Sequence, residues 1–334
     1  MTQEPSKAAG PNLFWLAALL IALILVSFAI GRYPPLNQLT PQRLAEDVLA
    51  QRLILNLRVP RVLTAVLVGA SLAAAGAVLQ MIFGNPLVEP GFLGVSQGAG
   101  FGAALAIILL AHNFYTTQIL AAVFAFLGLG FSYLIARRVR FGGWILRLIL
   151  AGIAVSALFS SGLGILKYVA DPLSQLPEIT FWLLGGLWAV TWPQFISILP
   201  AILLGLAVLL LMRWRLNLLS LNDQTAFSLG SSPARERMIL LVAAVLITAA
   251  SVSVAGMVSW VGLLVPHIAR RIYGADARHM LPASMLIGAI FTLICDDLGR
   301  SLFTGEIPLG ILTSLIGASL FLYLMYRRGS GLST

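Results

Sequence analysis

An all-α integral membrane protein of about ten transmembrane helices is the fold this sequence predicts, and three observations predict it. Hydrophobic residues fill 59% of the 334 positions and charged residues only 10%, against roughly a quarter charged in soluble domains. Mean hydropathy is +0.96. The apolar residues fall in runs near the ~20 residues that cross a hydrocarbon core, with arginines concentrated between the runs. A water-soluble fold must leave a large share of its surface facing solvent, so the solvent here is lipid. Spans and short connections use up residues 1–334 as a single transmembrane domain, which excludes a large extramembrane one.

The elements follow in order. Leu13–Ile30 is long enough to span, only Lys7 precedes it, and no small-x-small cleavage site follows, so an uncleaved helix is expected rather than a signal peptide. Residues 31–57, with Pro34, Pro35 and Pro41, read as a polar connection ending in a short surface helix. Val62–Phe83, Phe92–Leu110, Ile119–Ala136 and Leu146–Leu166 are the next spans. Residues 168–190 carry Asp171-Pro172, Pro177 and Glu178, then the apolar run Phe181–Ala189, too brief to span and expected as a half-helix or re-entrant piece. Phe195–Met212 spans again. From Met238 the apolar pattern continues almost to Arg270, about 50 Å of straight helix, with Arg235 and Arg237 before it and Arg270 and Arg271 after it. Two limbs joined by a tight turn near Ala255–Gly256, the second kinked or shortened at Pro266, resolve that length. Leu281–Leu298 and Ile307–Tyr326 complete ten.

With both termini in the cytoplasm, fourteen of the 21 Lys and Arg residues lie inside and seven outside, the sign the positive-inside rule requires. Five of the seven exceptions cluster as Arg32, Arg43, Arg52, Arg58 and Arg61. The same rule accounts for the net charge of +9 without nucleic acid as a partner. The single cysteine, Cys295, excludes an intrachain disulfide and a Cys-rich metal site.

Three facts bear on function. No Gly-x-x-x-x-Gly-Lys-Ser/Thr occurs, and the only lysines are Lys7 and Lys167, so an ATPase would have to be a separate chain. Ion-coupled carriers place Asp, Glu or His inside the bundle, whereas here Asp296 and Asp297 fall near the outer end of their span, Glu89 falls in a short inner loop, and His267 beside Pro266 reads as a structural hydrogen-bonder. An ion-coupled secondary transporter is therefore the alternative reading. A membrane enzyme using His267 with Asp296 or Asp297 is a third, weakened by their placement near opposite faces. Lastly, small residues crowd the spans at Gly69–Gly76, at Ala151–Ala154 and at Ser156, Ser160, Ser161, Gly162 and Gly164. Such faces let helices approach closely and equally suit the wall of a wide, weakly polar pathway.

The chain then presents Arg58-Val59-Pro60-Arg61, Val68–Leu72, Gly76–Gln80, Gly84-Asn85-Pro86-Leu87-Val88-Glu89-Pro90-Gly91-Phe92-Leu93-Gly94, Gly262-Leu263-Leu264-Val265-Pro266-His267, Asp296, Arg300 and Ile307–Gly310. In order and spacing this resembles the permeases of binding-protein-dependent ABC importers for ferric siderophores, haem and cobalamin, over nearly the whole chain after residue 55. The Asn85–Gly100 run is most similar to cobalamin permeases, members of that family.

The resemblance implies a cobalamin-permease-like, type II importer fold and a homodimer with the pathway between its subunits. Partners would be two ATP-binding subunits, which alone hold ATP and Mg, and a periplasmic or lipid-anchored substrate-binding protein. This chain would carry no cofactor and no metal, and would catalyse no bond chemistry. It would sit as a multi-pass protein in the inner (plasma) membrane. Residues 221–237 match the ATPase-docking loop, with Ala226, Leu229, Gly230 and Ser231 at its turn. Asn85, Pro86 and Leu87 match one part of an inner gate, and Ile145 and Leu146 stand where small polar residues of the cobalamin permease form the other. Arg58, Arg61 and Arg300 match positions that receive acidic residues of the binding protein, or else anchor helix ends. Ser156, Ser160 and Ser161 would line the pathway. The expected cargo is a metal chelate (ferric siderophore, then haem or cobalamin), with an oxyanion such as molybdate behind.

Overall fold

The computed structural model describes residues 12–31, 33, 46–110, 113–302 and 305–329, with side chains up to 326. The readings placed on Lys7, Arg32, Pro34, Pro35, Pro41, Arg43 and the C-terminal arginines lie outside the described residues or side chains. Among the described residues the regular structure is helical throughout.

Ten helices correspond to the ten expected spans. They are α1 (Leu13–Ala29), α3 (Val59–Phe83), α4 (Val95–Leu109), α5 (Phe114–Arg138), α6 (Trp144–Val169), α8 (Trp192–Leu211), α11 (Pro233–Ala255), α12 (Val261–Tyr273), α13 (Ala277–Ser301) and α14 (Leu309–Gly329). Four shorter helices fill the connections: α2 (Val48–Leu53), α7 (Gln175–Leu184), α9 (Arg213–Leu219) and α10 (Asp223–Ser228). Seven of the helical segments are long and apolar enough to cross a bilayer unaided. At 17, 15 and 13 residues, α1, α4 and α12 are shorter.

One end of the bundle gathers Arg138, Trp144, Arg237 and Arg271 and is called the basic end; the other gathers Arg61, Asp296 and Arg300. The core is built around α3, which buries nearly its full length against α11, α12 and α13. Its Gly69 faces Gly288 of α13 so closely that a Cβ on Gly69 would stand 2.3 Å from the Gly288 carbonyl oxygen, and a Cβ on Gly288 would stand 2.4 Å from that of Gly69. Dispersion between helices depends on such approach where lipid removes the hydrophobic drive.

The structure corrects several expected boundaries. The short surface helix expected at the end of residues 31–57 is α2, but it does not stop before the span: it runs through a π-helical turn, Ile54–Arg58, straight into α3. The half-helix is Gln175–Leu184 rather than Phe181–Ala189. Asp171 starts it early by accepting the amides of Leu173 and Ser174, at 2.9 and 2.8 Å, and Gly185, at φ 69°, ends it. The span expected from Phe92 begins at Val95, behind a 3₁₀ turn, Pro90–Leu93. The paired limbs turn over residues 256–260, where Gly256 and Trp260 hold φ of 66° and 71°.

Pro266 lies inside α12. Proline lacks the N–H that would bond the carbonyl four residues back, which is that of Gly262. The buried Gln80 amide of α3 serves it instead: Nε2 donates to the carbonyls of Gly262 at 3.3 Å and Leu263 at 3.1 Å.

Prediction: Gly288→Val forces α3 and α13 apart and lowers the thermal unfolding midpoint in detergent, an overpacking cost of about 1–3 kcal/mol or more. Gly130→Ala, where a Cβ meets nothing within 4 Å, leaves the midpoint unchanged.

Candidate translocation pathway and docking surfaces

The loop between α3 and α4 was expected to be short and at the inner surface. Instead it re-enters the bundle. The Gly94 carbonyl lies 2.3 Å from where a Cβ on Gly128 would be, and the Phe92 carbonyl lies 2.1 Å from where one on Gly152 would be. From Gly128 to Arg138, and from Gly152 to Trp144, the helices rise about 15 and 12 Å. Residues 90–94 therefore sit well inside the bundle, against two glycines with no side chain to exclude them.

Behind that segment is a cavity of about 350 Å³ whose wall includes Glu89, Ser96, Gln97, Ser156, Ser259 and Thr248 among apolar neighbours. Glu89 is thus a loop carboxyl group that lines a cavity, and among the described residues it forms no ion pair with the basic-end arginines. Ser156 is half-buried and donates to the Gly91 carbonyl at 3.4 Å. Ser160 and Ser161 lie on an exposed face of α6 with Ile153, Leu158 and Ile165.

Asn85 folds the start of the loop by accepting the Leu87 amide at 2.9 Å, which leaves Pro86 and Leu87 exposed. Leu146 is exposed and Ile145 half-buried at the start of α6. The two segments are neighbours, because Phe83 and Trp144 stack at 6.4 Å and 15° immediately before them.

A second cavity, of about 680 Å³, lies between α7 and the extended segment that follows it, the start of α5 and the end of α11, with Trp182, Trp188, Glu178 and Glu306 in its wall. The Gly186 amide donates to the Ala255 carbonyl at 2.8 Å, and a Cβ on Gly310 would stand 2.4 Å from the Leu184 oxygen and 2.6 Å from that of Met257. Three chain breaks therefore meet at one point.

The three arginines expected to face a binding protein are engaged internally. Arg58 is buried and donates to the carbonyls of Phe28 and Tyr33, at 3.2 and 2.7 Å. Arg61 grips Asp296 through Nε and Nη2, at 3.0 and 2.9 Å, and Glu306 through Nη1 at 2.9 Å. Arg300 is buried, pairs with Asp297, and donates to the carbonyls of Ser27 and Ile30. Asp296 is 1% exposed and Glu306 is 37% exposed, so of these partners Glu306 is the accessible one. The geometry gives these charges the anchoring role, tying α1, α3, α13 and residue 306 together.

His267 does not meet those aspartates. It sits about 9 Å along α12 from Tyr273, while Asp296 is about 28 Å along α13 from Ala277. Its ring meets Phe321 edge-on at 6.3 Å.

At the basic end α10 closes in a Schellman motif: Ser231 N–H donates to the Ala226 carbonyl and Gly230 N–H to that of Phe227, at 3.0 and 2.9 Å, with Gly230 at φ 79°. Arg237 pairs with Asp223 at 2.7 Å, and Ser231 Oγ donates to Glu236 at 2.7 Å. Ala226 and Ser231 are consequently buried, and the surface is presented by Phe227 and Leu229, 72% and 57% exposed. Phe227 escaped the sequence reading because one aromatic in a polar loop gives no periodic signal. Behind the loop, Asn217 donates to Asp276 at 2.8 Å. The Arg278 side chain, with Asn217, holds the Asp276 carboxyl well below the usual range, a contribution present at neutral pH and lost as pH falls below ordinary carboxylate values.

Ten helices, two of them completed at depth by non-helical backbone around cavities, define a multi-pass membrane permease. Residues 18–327 match the model of the FecCD transport family, and the chain belongs to that family. It is 39% identical to the molybdate import system permease MolB of Haemophilus influenzae over 96% of each chain. It is also 39% identical to the Fe(3+) dicitrate transport system permease FecC of Escherichia coli, over 95% of this chain and 94% of that one. The hemin transport system permease HmuU of Yersinia pestis is 40% identical over 82% of this chain and 83% of its own. Among solved structures, an inward-facing metal-chelate-type ABC transporter superposes with a TM-score of 0.85 at 38% identity, covering 94% of this chain and 98% of that one.

Prediction: Asp296→Asn leaves Arg61 and Arg300 short of a buried counter-charge and costs about 3–5 kcal/mol of stability. Glu306→Gln, at a more exposed pair, costs under about 1 kcal/mol. Denaturant unfolding in detergent separates the two.

Proposed function

We propose that this chain is the membrane subunit of a binding-protein-dependent ABC importer for a metal chelate, working in the inner membrane with both termini cytoplasmic. Two copies would form the pathway across the exposed α6 face that carries Ser160 and Ser161. ATP and Mg would be held by two separate ATP-binding subunits, and a periplasmic or lipid-anchored binding protein would deliver cargo to the end bearing the Arg61–Glu306 pair. Fe(3+) dicitrate and haem in the relatives' names favour a ferric chelate or haem, and cobalamin stays within the same class; molybdate in another relative's name keeps an oxyanion in view.

One observation carries the reading: the rigid 221–237 loop, which holds Phe227 and Leu229 out from the basic end while spending its polar groups on its own closure. An apolar pair held out in this way suits a partner's groove. Asn85–Leu87 and Ile145–Leu146, neighbours at that same end, are placed to close the pathway as the docked subunits move. The ion-coupled alternative gains one argument, the depth of Glu89, and vesicle transport driven by ATP or by an ion gradient separates the two.

Prediction: Phe227→Asp leaves expression and unfolding of the permease unchanged, because the side chain touches solvent, but abolishes co-purification with the ATP-binding subunit and reduces ATP-driven uptake at least tenfold. Undiminished co-purification would remove the loop from this role.

A further inference from the structure

The cavity beside the re-entrant loop contains a carboxyl group with no cationic partner among the described residues. Glu89, Ser96, Gln97 and Ser259 all line it and are half-buried, and none of their side chains hydrogen-bonds to another described residue. Among the described residues, the surrounding elements offer no cation in the cavity wall. Arg61 of α3 is spent on Asp296 and Glu306 at the far end. Arg147 of α6 donates to the Val139 carbonyl near the basic end, and Lys167 belongs to the opposite end of that helix. Arg235 and Arg237 of α11, and His267, Arg270 and Arg271 of α12, stand outside the cavity wall, and α4 carries no charge. The free first-turn amides of α4 do not donate to the carboxylate, so the helix end compensates it only at a distance. Ionising this carboxyl group without a partner is unfavourable, and a bound cation offsets that cost.

Two of these oxygens border one gap. Beside Gly91, the point a Cβ would occupy is 3.5 Å from Glu89 Oε1 and 3.6 Å from Ser96 Oγ, so both oxygens face the open space next to the Gly91 backbone, which a side chain at that position would fill. A carboxylate, an amide carbonyl and hydroxyls make an all-oxygen donor set, the kind that hard cations accept.

We propose that the Glu89 cavity is a binding site for a single positively charged group, held by the Glu89 carboxylate with Ser96, Gln97 and Ser259. The group is either a free alkali cation or an ammonium carried by the cargo. The site stands on its own geometry; its use in transport rests on the importer reading.

The test uses the full chain in lipid nanodiscs, its unfolding midpoint followed by tryptophan fluorescence. NaCl, KCl or methylammonium chloride replaces N-methyl-D-glucamine chloride at constant ionic strength. The midpoint is expected to rise saturably with at least one small cation, by several degrees, and to stay flat in Glu89→Gln. Gly91→Ala keeps the carboxylate but puts a methyl in the gap, and raises the half-saturating concentration tenfold or more. Gln97→Ala raises it by a smaller factor and replaces Glu89→Gln should that variant not fold. Saturation by an alkali ion assigns the site to a free cation, and saturation by methylammonium alone assigns it to a cargo ammonium. Equal midpoints in all salts, or the same response in wild type and Glu89→Gln, overturn the proposal. Because the readout needs no ATPase or cargo, its failure leaves the importer reading intact, and failed ATP-driven uptake leaves the site intact.

Discussion

Hydrocarbon offers a peptide group nothing to bond, so non-helical backbone inside a membrane protein survives only where protein or trapped water satisfies it. This fold places two such breaks in its α-helices at depth, residues 90–94 and 256–260, and neighbouring helices are arranged to admit them. Gln80 answers a third irregularity, the one that Pro266 makes within α12. Its amide nitrogen serves the carbonyl that Pro266 leaves orphaned and its neighbour, so one side chain on the central helix makes a proline-containing span tolerable. Gly128 and Gly152 make the break at 90–94 possible by admitting the carbonyls of Gly94 and Phe92 at distances no side chain would allow. Broken helices then give what continuous ones cannot: polar groups facing a cavity in the middle of the membrane.

The opposite end solves a different problem. Three arginines and three carboxylates lie close together there, and burial of charge is tolerable only with opposite charge and with hydrogen bonds for what remains. Arg61 and Arg300 divide Asp296, Asp297 and Glu306 between them, while Arg58 spends its donors on the carbonyls at the end of α1. A continuous α2–α3 segment results from the same anchoring, since Arg58 sits in the π turn that joins the two. The charges hold the ends of α1, α3 and α13 together.

The sequence made the spans legible because each is a run of apolar residues near membrane length, and the doubled run from Met238 to Arg270 revealed its turn through length alone. It also brought out the glycines, the Pro266 region and the acidic and basic residues as groups. What it left unread was depth and partnership. A loop of eleven residues between two spans looks superficial, and nothing in Asn85–Gly94 by itself states that its second half turns inward; the glycines that receive it lie on two other helices. Likewise the arginine cluster looked available to an outside partner because its counter-charges, Asp296 and Glu306, are more than two hundred residues away in the chain. Phe227 was missed for the opposite reason, being informative only through an exposure that the Schellman turn creates.

Depth also explains how the separate features belong to one machine. Helix α11 rises about 34 Å over its 23 residues. It begins at the loop that Glu236 and Arg237 brace, forms a wall of the Glu89 cavity through Thr248 and Val252, and ends at Ala255, whose carbonyl holds Gly186 and hence the end of the α7 half-helix. A helix is stiff along its axis, and this one is buried against α3, α5 and α8. It therefore runs unbroken from the 221–237 loop to the two breaks at 185–190 and 256–260, where Gly185 and Gly256 hold positive φ. Both breaks border cavities. Under the importer reading, α11 is the continuous element that would join the 221–237 loop at the basic end to them.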